Sequence, residues 1–290
     1  MVRSGHHFIY GSLRESIIEQ VHGPALQRYL CNKFHWSDEV FHMIDWSAMG
    51  SYMRRVDGVK ATNIIKLVMN WQNDGHQNEL FYSTGGVCPA CNNVVENHLH
   101  FLCCRDPVLS RMNVASTTRF YRAMKRVHTA GVLASVFKCI LAALLAGVPP
   151  APFVGKDDTI GRLLTAAWVE QEQIGWDNWA KGRFSRKWGE AQELYYRSNP
   201  DTCEKKHCSG RVWMVRMIGE VLSMVLQMWA SRCGCLHGHD QKEKKLTQKE
   251  VVGRAVTACY LARNSIPDIH QDIFARPLKD MLDTCNLSYL

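Results

Sequence analysis

The stretch "VCPACNNVVENHLHFLCCRDP", residues 87–107, is the densest group of potential metal ligands in the chain. It contains four of the twelve cysteines and two of the thirteen histidines. A CxxC turn presents two thiolates from one tight loop, here Cys88 and Cys91, and a structural zinc ion takes four Cys or His ligands. The stretch therefore predicts one structural zinc ion in a small strand–turn–helix module, with no ligand position left for water.

The second pair of ligands must come from His98, His100, Cys103 and Cys104. On a helix, side chains four positions apart lie on one face, whereas side chains five apart diverge. A helix from residue 96 onwards therefore favours His100 with Cys104, although His100 with Cys103 also fits. A loop, as in a zinc knuckle, would instead allow His98 with Cys103. The predicted ligands are Cys88, Cys91, His100 and Cys104, with His98 and Cys103 as alternates.

Outside this stretch, the apolar residues recur mostly at helical spacing, and strand-like runs are scarce, so the predicted fold class is mainly α. The segment "GVPPAPFVGKDD" is the strongest linker signal. The predicted organisation is a lead-in at 1–34, a zinc-binding helical domain at 35–148, a linker at 149–158 and a helical C-terminal domain at 159–290.

Several element boundaries are also predicted. Gly75 is expected to end a helix, with a short strand after it. "TQKE" at 247–250 has the pattern of a capping box, and the mixed-charge residues 240–250 are expected to form an exposed loop. Further helices are predicted at 108–126, 130–147, 159–174 and about 268–283.

The formal charge of +8 and the isoelectric point of about 8.9 favour a polyanionic partner such as RNA or DNA. Two basic clusters contain interleaved aromatic residues, which can hold phosphates and stack bases. The competing interpretation is a solvated helix face. The candidate nucleic-acid ligands are Arg111, Arg119, Arg122, Lys125, Arg126, Lys181, Arg183, Arg186 and Lys187.

Cysteine usage and the first residues indicate the compartment. Twelve cysteines are too few for a disulfide scaffold of 290 residues, and residues 2–16 lack the apolar run of a signal peptide. We therefore expect an intracellular protein, in the nucleus or cytoplasm, that is not secreted. The apolar residues 131–150 carry Lys138 near their centre, which favours a buried helix over a membrane span.

"CPACNNVVENHLHFLCCRDP" resembles the zinc-binding segment that follows the reverse transcriptase domain in non-LTR retrotransposon proteins. That family reads CPxC, a short gap, an acidic residue, and a His a few residues before a final Cys. The spacing of that motif corresponds to His100 and Cys104 as the second pair of ligands, although the Cys103–Cys104 doublet departs from the usual single cysteine. Weaker similarity extends from about residue 34 to the end, in "IDWSAM", "NWQNDGHQ", "EQEQIGWDNWAKGRFSRKWGEAQELYY" and "MWASRCGCLHG".

The resemblance implies a non-catalytic accessory region that binds template RNA or target DNA and associates with a retroelement polymerase. The YxDD carboxylates of a polymerase are missing, because "KDDT" at 156–159 lacks the Tyr and has the pattern of a helix cap. One alternative is a zinc-braced scaffold for protein–protein interaction. A second is a residual restriction-like nuclease with carboxylates at Asp268 and Asp283.

Overall fold

The computed structural model describes residues 3–4, 7–8, 13–82, 85–199, 208–265 and 267–284. Over these residues the chain is mainly α, as predicted, with one two-residue antiparallel pairing of β1 (Arg3–Ser4) with β2 (His7–Phe8). The first eight helices are α1 (Leu13–Phe34), α2 (Asp38–Met43), α3 (Trp46–Met53), α4 (Gly58–Val68), α5 (Gly75–Tyr82), α6 (His100–Cys103), α7 (Pro107–Arg126) and α8 (Gly131–Ala146). The others are α9 (Thr159–Ile174), α10 (Trp176–Ala180), α11 (Arg186–Ser198), α12 (Gly210–His237), α13 (Gln241–Leu261), two 3₁₀ helices (Arg263–Ser265, Asp268–Ala275) and α14 (Leu278–Thr284).

The helices form two compact units that are each discontinuous in sequence. The larger unit contains residues 1–72 and 115–226, and the smaller contains residues 73–114 and 227–290. This division differs from the four sequential segments that the linker signal predicts. Helices α7 and α12 each contribute residues to both units, so two of the three boundaries fall inside helices. The third, between residues 72 and 73, lies between α4 and α5, and none lies in the proline-rich segment.

Aromatic side chains form the core of the larger unit. The ring of Phe137 lies 5.3 Å from that of Trp179, 5.5 Å from Trp188 and 5.8 Å from Trp213, measured between centroids. All four side chains are essentially inaccessible to water. Phe137 belongs to α8, so the apolar residues 131–150 do form a buried helix face, which ends at Gly147 in the left-handed conformation.

Three helices of the larger unit end at a non-glycine residue in the left-handed conformation. His35, Asn70 and His128 have φ values of 55°, 53° and 49°. In each case the next amide N–H bonds to a carbonyl five residues earlier, as Trp71 N–H does to Lys66 O at 2.8 Å. These are Schellman motifs, which satisfy the last carbonyls and turn the chain sharply. The motif therefore fixes where Trp36 and Trp71 leave their helices.

Two predicted element boundaries in the smaller unit are wrong, and a side-chain cap explains each. Gly75 begins α5 instead of ending a helix, because the Asp74 carboxylate accepts the Gln77 N–H at 2.8 Å. Residues 241–250 form the start of exposed α13 rather than a loop. Asp240 caps that helix by accepting the Glu243 N–H at 2.8 Å, which leaves Thr247 in the helix interior.

Among the described residues, α12 is the one helix long and apolar enough to cross a membrane by length and composition. Its most apolar window is 61% buried within the protein, as in the core helix of a folded domain. Trp213, Ile218 and Leu222 are among its inaccessible side chains.

Candidate metal centre

The smaller unit brings Cys88, Cys91, His100 and Cys104 together. Their four ligand atoms lie within 4.8 Å of one another, with Cys88 Sγ 3.9 Å from Cys104 Sγ and Cys91 Sγ 3.5 Å from His100 Nε2. Metal–ligand bonds of about 2.3 Å to sulfur and 2.0–2.1 Å to nitrogen give tetrahedral edges of about 3.8 Å and 3.5 Å. The two distances match such edges, and this Cys₃His group could hold a metal ion.

The first two ligands sit on a tight turn. Cys88 N–H bonds to Val94 O and Asn92 N–H bonds to Cys88 O, both at 2.9 Å. Asn92 has a φ of 49°, a left-handed conformation that asparagine tolerates better than most residues. A single antiparallel bridge joins Val87 to Val95 and closes the turn. The short strand predicted after Gly75 is wrong, because residues 78–82 belong to α5 and Val87 forms only this bridge. The closed turn places both thiols beside the second pair of ligands.

The second two ligands lie at opposite ends of a very short helix, His100 at its start and Cys104 just after its last residue. The helix predicted from residue 96 onwards is wrong in extent, since α6 spans only His100–Cys103 and Cys104 has extended backbone with φ −60° and ψ 130°. The cause lies just downstream, where Asp106 precedes Pro107 and cannot easily remain helical. Asp106 instead caps α7, accepting the Leu109 N–H at 2.8 Å. The break turns the Cys104 thiol back towards the CxxC turn.

The structure thus distinguishes between the predicted ligand pairs. His100 and Cys104 join the cluster, while the alternates His98 and Cys103 are outside it. Cys103 Sγ instead lies 3.5 Å from the backbone oxygen of His100. Three of the four ligands are buried, and Cys91 is half-buried. This leaves little room for water at the centre, in keeping with a structural site rather than a catalytic one.

Burial sets the proton affinities of the ligands in the absence of metal. It raises the pKa of Cys88 and raises that of Cys104 to about 12, and it lowers the pKa of His100. Burial also acts to raise the pKa of Cys91, but backbone hydrogen bonds around Asn93 and the Cys88 thiol outweigh it, so that pKa is lowered. A metal ion binds thiolates and neutral imidazole, so loading this site would release protons from the buried thiols.

A buried ion pair holds the ligand loop in place. Glu96 accepts the Arg232 Nε–H at 2.7 Å, a second bond from the Arg232 guanidinium, and the Gly75 N–H at 2.8 Å. Glu96 is fully buried, and Arg232 is 2% exposed with its guanidinium 4.9 Å from the Trp229 ring centre. Arg232 was absent from the predicted site, and its neighbours in the sequence give no sign that it reaches Glu96.

The predicted nucleic-acid ligands on α7 are all at the surface. In the larger unit, Arg119, Arg122, Lys125 and Arg126 are exposed, and Arg126 forms a surface ion pair with Glu220 at 3.3 Å. In the smaller unit, Arg111 is exposed near the start of the same helix. Helical spacing places the four residues of the larger unit along one side of α7, away from the buried Phe120 and Met124.

The second predicted basic cluster is only partly exposed, which corrects the prediction. Phe184 is fully buried in the core, and the residues just before it are buried as well, with Lys181 2% and Arg183 1% exposed. Arg183 bonds to Asn178 Oδ1 and to Val68 O, both at 2.7 Å. Arg186 is exposed, and Lys187 is half-buried and paired with Glu170 at 3.3 Å. Neither buried cation is placed to contact a phosphate on the surface.

The two carboxylates of the nuclease alternative, Asp268 and Asp283, have side chains that lie outside the described part of the molecule. The "KDDT" segment is a helix cap, as predicted, because Asp158 accepts the Gly161 N–H at 2.6 Å at the start of α9.

No protein-family model, curated protein or solved structure matches this chain.

Proposed function

We propose that this chain is a zinc-braced, helical nucleic-acid-binding protein with no catalytic centre of its own. The observation that carries the proposal is the cationic face of α7, formed by Arg119, Arg122, Lys125 and Arg126. Among the described residues, one acidic side chain, Glu220, is paired with this face, and it engages Arg126, while Arg119 donates a hydrogen bond to Ser116 Oγ at 3.5 Å. Three cations therefore remain available in the described structure to contact phosphates.

The geometry of such a face suits a polyanion. Basic residues three and four positions apart on a helix lie a few ångströms from one another, so a phosphate backbone can contact several at once. Each contact releases a counterion condensed on the nucleic acid, which makes the affinity depend steeply on salt. The net charge of +8 adds long-range attraction for the same partner.

The bound ion is proposed to be zinc, in a structural role. Three thiolates and one imidazole match the soft and borderline ligands that zinc prefers, and the site has no open position for substrate. The ligand order and register also match the resemblance to the zinc-binding segment of non-LTR retrotransposon proteins. On that basis the partner is the RNA or DNA of such an element, and association with its polymerase is part of the proposal.

Metal analysis of the purified, reduced protein tests the zinc assignment. We expect about one zinc per chain, lost in His100→Ala and Cys104→Ser. The neighbouring His98→Ala and Cys103→Ser are matched controls that should retain it. Retention in His100→Ala with loss in His98→Ala would transfer the site to the alternate ligands, and a metal-free wild type would overturn the assignment.

Salt-dependent binding tests the nucleic-acid function. The double variant Arg119→Gln/Arg122→Gln should lower the slope of log affinity against log salt by about 0.7–0.9 for each phosphate that the protein no longer neutralises. Arg162→Gln is the control, since Arg162 is exposed on α9 and paired with Asp157. If the wild type shows no salt-sensitive binding of RNA or DNA, the nucleic-acid function is wrong and the protein–protein interaction scaffold is favoured instead.

A further inference from the structure

Two exposed aromatic rings flank a lysine in the larger unit. Lys33 Nζ lies 5.8 Å from the ring centre of Tyr29 and 5.5 Å from that of Trp71. Tyr29 is 42% exposed and Trp71 is 52% exposed. Large aromatic side chains are usually buried, and this tryptophan leaves about half of its surface in water. We call Tyr29, Lys33 and Trp71 the aromatic–lysine platform.

The backbone fixes the positions of these side chains. Tyr29 and Lys33 are four residues apart on α1, so both project from one side of that helix. Trp71 follows Asn70, the left-handed residue of a Schellman motif, and its own N–H is bonded to Lys66 O. Because this bond already holds the Trp71 backbone, less conformational entropy remains to be lost when a ligand stacks on the ring.

Buried positive charge lies next to the platform. Phe34, which follows Lys33, has the Arg183 guanidinium 4.0 Å and Lys181 Nζ 5.9 Å from its ring centre. Burial lowers the pKa of Lys181 to about 7, and Asp177, Arg183 and Lys33 are the charged groups that act on it. Among the described residues, the buried Arg183 Nε has no hydrogen-bond partner. Asp177 opposes this positive charge, but Arg183 and Lys33 still present two cationic side chains towards an anion at the adjoining surface when Lys181 is neutral.

We propose that the aromatic–lysine platform binds single-stranded nucleic acid, with bases stacked on Tyr29 and Trp71 and Lys33 bonded to a phosphate. This inference rests on the proposed nucleic-acid function. It adds that the bound nucleic acid is single-stranded and that the platform is a second contact surface. Unpaired bases expose their faces to aromatic rings, whereas the bases of a duplex are already stacked on one another. An apolar peptide is a poorer occupant because the Lys33 ammonium would lose solvation without gaining an opposite charge.

The test compares binding of a 20-nucleotide oligo(dT) and oligo(U) with binding of a DNA duplex of the same length, at fixed salt. Trp71→Ala should bind the single strands about 5- to 150-fold more weakly, the range seen when one base–aromatic stack is removed, and the duplex as tightly as the wild type. Trp71→Phe should restore most of the affinity, because it retains a stacking face. Ile65→Ala is the control, since Ile65 is 45% exposed on α4.

The outcomes separate this inference from the proposed function. Wild-type affinity of Trp71→Ala and Tyr29→Ala for single strands, with weaker binding by Arg119→Gln/Arg122→Gln, would overturn the platform and leave the function standing. A parallel loss for single strand and duplex would also overturn it, because stacking is then not the cause. Failure of the wild type to bind any of the three probes would overturn both proposals. Circular dichroism verifies that each variant is folded.

Discussion

Replacing Glu96 by Gln would expose how strongly the smaller unit depends on its buried ion pair. Glu96 accepts two hydrogen bonds from Arg232 and one from Gly75 N–H, all shielded from water. Glutamine is nearly isosteric but neutral, and it has one acceptor oxygen, so the Arg232 charge would remain buried without a counter-charge. Removing one partner of a buried pair typically costs about 3–5 kcal/mol, and we expect this loss in the free energy of unfolding.

The converse variant, Arg232→Met, should lower the free energy of unfolding by a similar amount. It leaves the buried Glu96 carboxylate without its counter-charge and with the Gly75 N–H as its hydrogen-bond donor. Methionine retains packing against the Trp229 ring. The double variant Glu96→Gln/Arg232→Met removes both charges together. The double variant should lose at least about 2 kcal/mol less free energy of unfolding than the two single variants together, because it leaves no buried charge without a partner.

Urea unfolding followed by circular dichroism, with zinc and a reducing agent present, measures these differences. The control cycle uses Arg162 and Asp157, a surface pair at 2.9 Å with side chains 64% and 94% exposed, for which we expect less than about 1 kcal/mol. Single losses below about 1 kcal/mol at Glu96 and Arg232, or losses that simply add, would refute the reasoning that this pair is buried and coupled.

Three further changes have defined expected results in urea unfolding. Lys181→Met should make the protein more stable below pH 7, and the gain should shrink as pH rises from about 7 towards 10.5. The wild type buries a charged lysine only below its lowered pKa, and above 10.5 the unfolded chain is neutral at this position too. Asp240→Ala should cost about 1 kcal/mol through loss of the α13 cap, whereas Thr247→Ala inside the same helix should change stability by less than about 0.5 kcal/mol. Asn70→Gly should stabilise by about 0.5–1 kcal/mol, because glycine is unstrained at a φ of 53° and the change removes a buried oxygen that has no partner among the described residues. These gains should exceed the cost of greater glycine freedom in the unfolded chain, and an unchanged or lower midpoint would contradict this.

The ligand cluster was predictable from the sequence because it is local. Cys88 and Cys104 are only 16 positions apart, and a CxxC turn has few ways to face a nearby His and Cys. Helical spacing alone does not account for the pairing of His100 with Cys104, since α6 ends before Cys104. The two thiols meet because the chain turns ahead of Pro107, and the effect of a proline on its predecessor can be recognised in the sequence.

Burial of Lys181 and Arg183 in the second basic cluster was not predictable in the same way. "KGRFSRKW" has the composition of a surface segment, and local propensity contains no information about distant partners. Arg183 is buried because Val68 O, 115 positions away, accepts its hydrogen bond, and because Phe34 and Trp36 lie against its guanidinium. Such interactions depend on the tertiary fold, whereas the helices themselves follow from apolar spacing and caps.

The order of synthesis gives the Glu96–Arg232 pair one further consequence. All four ligands are complete when Cys104 has been added, but Arg232 follows Glu96 by 136 positions. At translation rates of about 5–20 residues per second, the ligand loop exists for several seconds or more before its ion-pair partner is made. Closing so short a loop takes far less time than that. On the ribosome, the metal-binding segment can therefore form early, with Glu96 still hydrated, and the burial of its charge waits for the C-terminal half of α12.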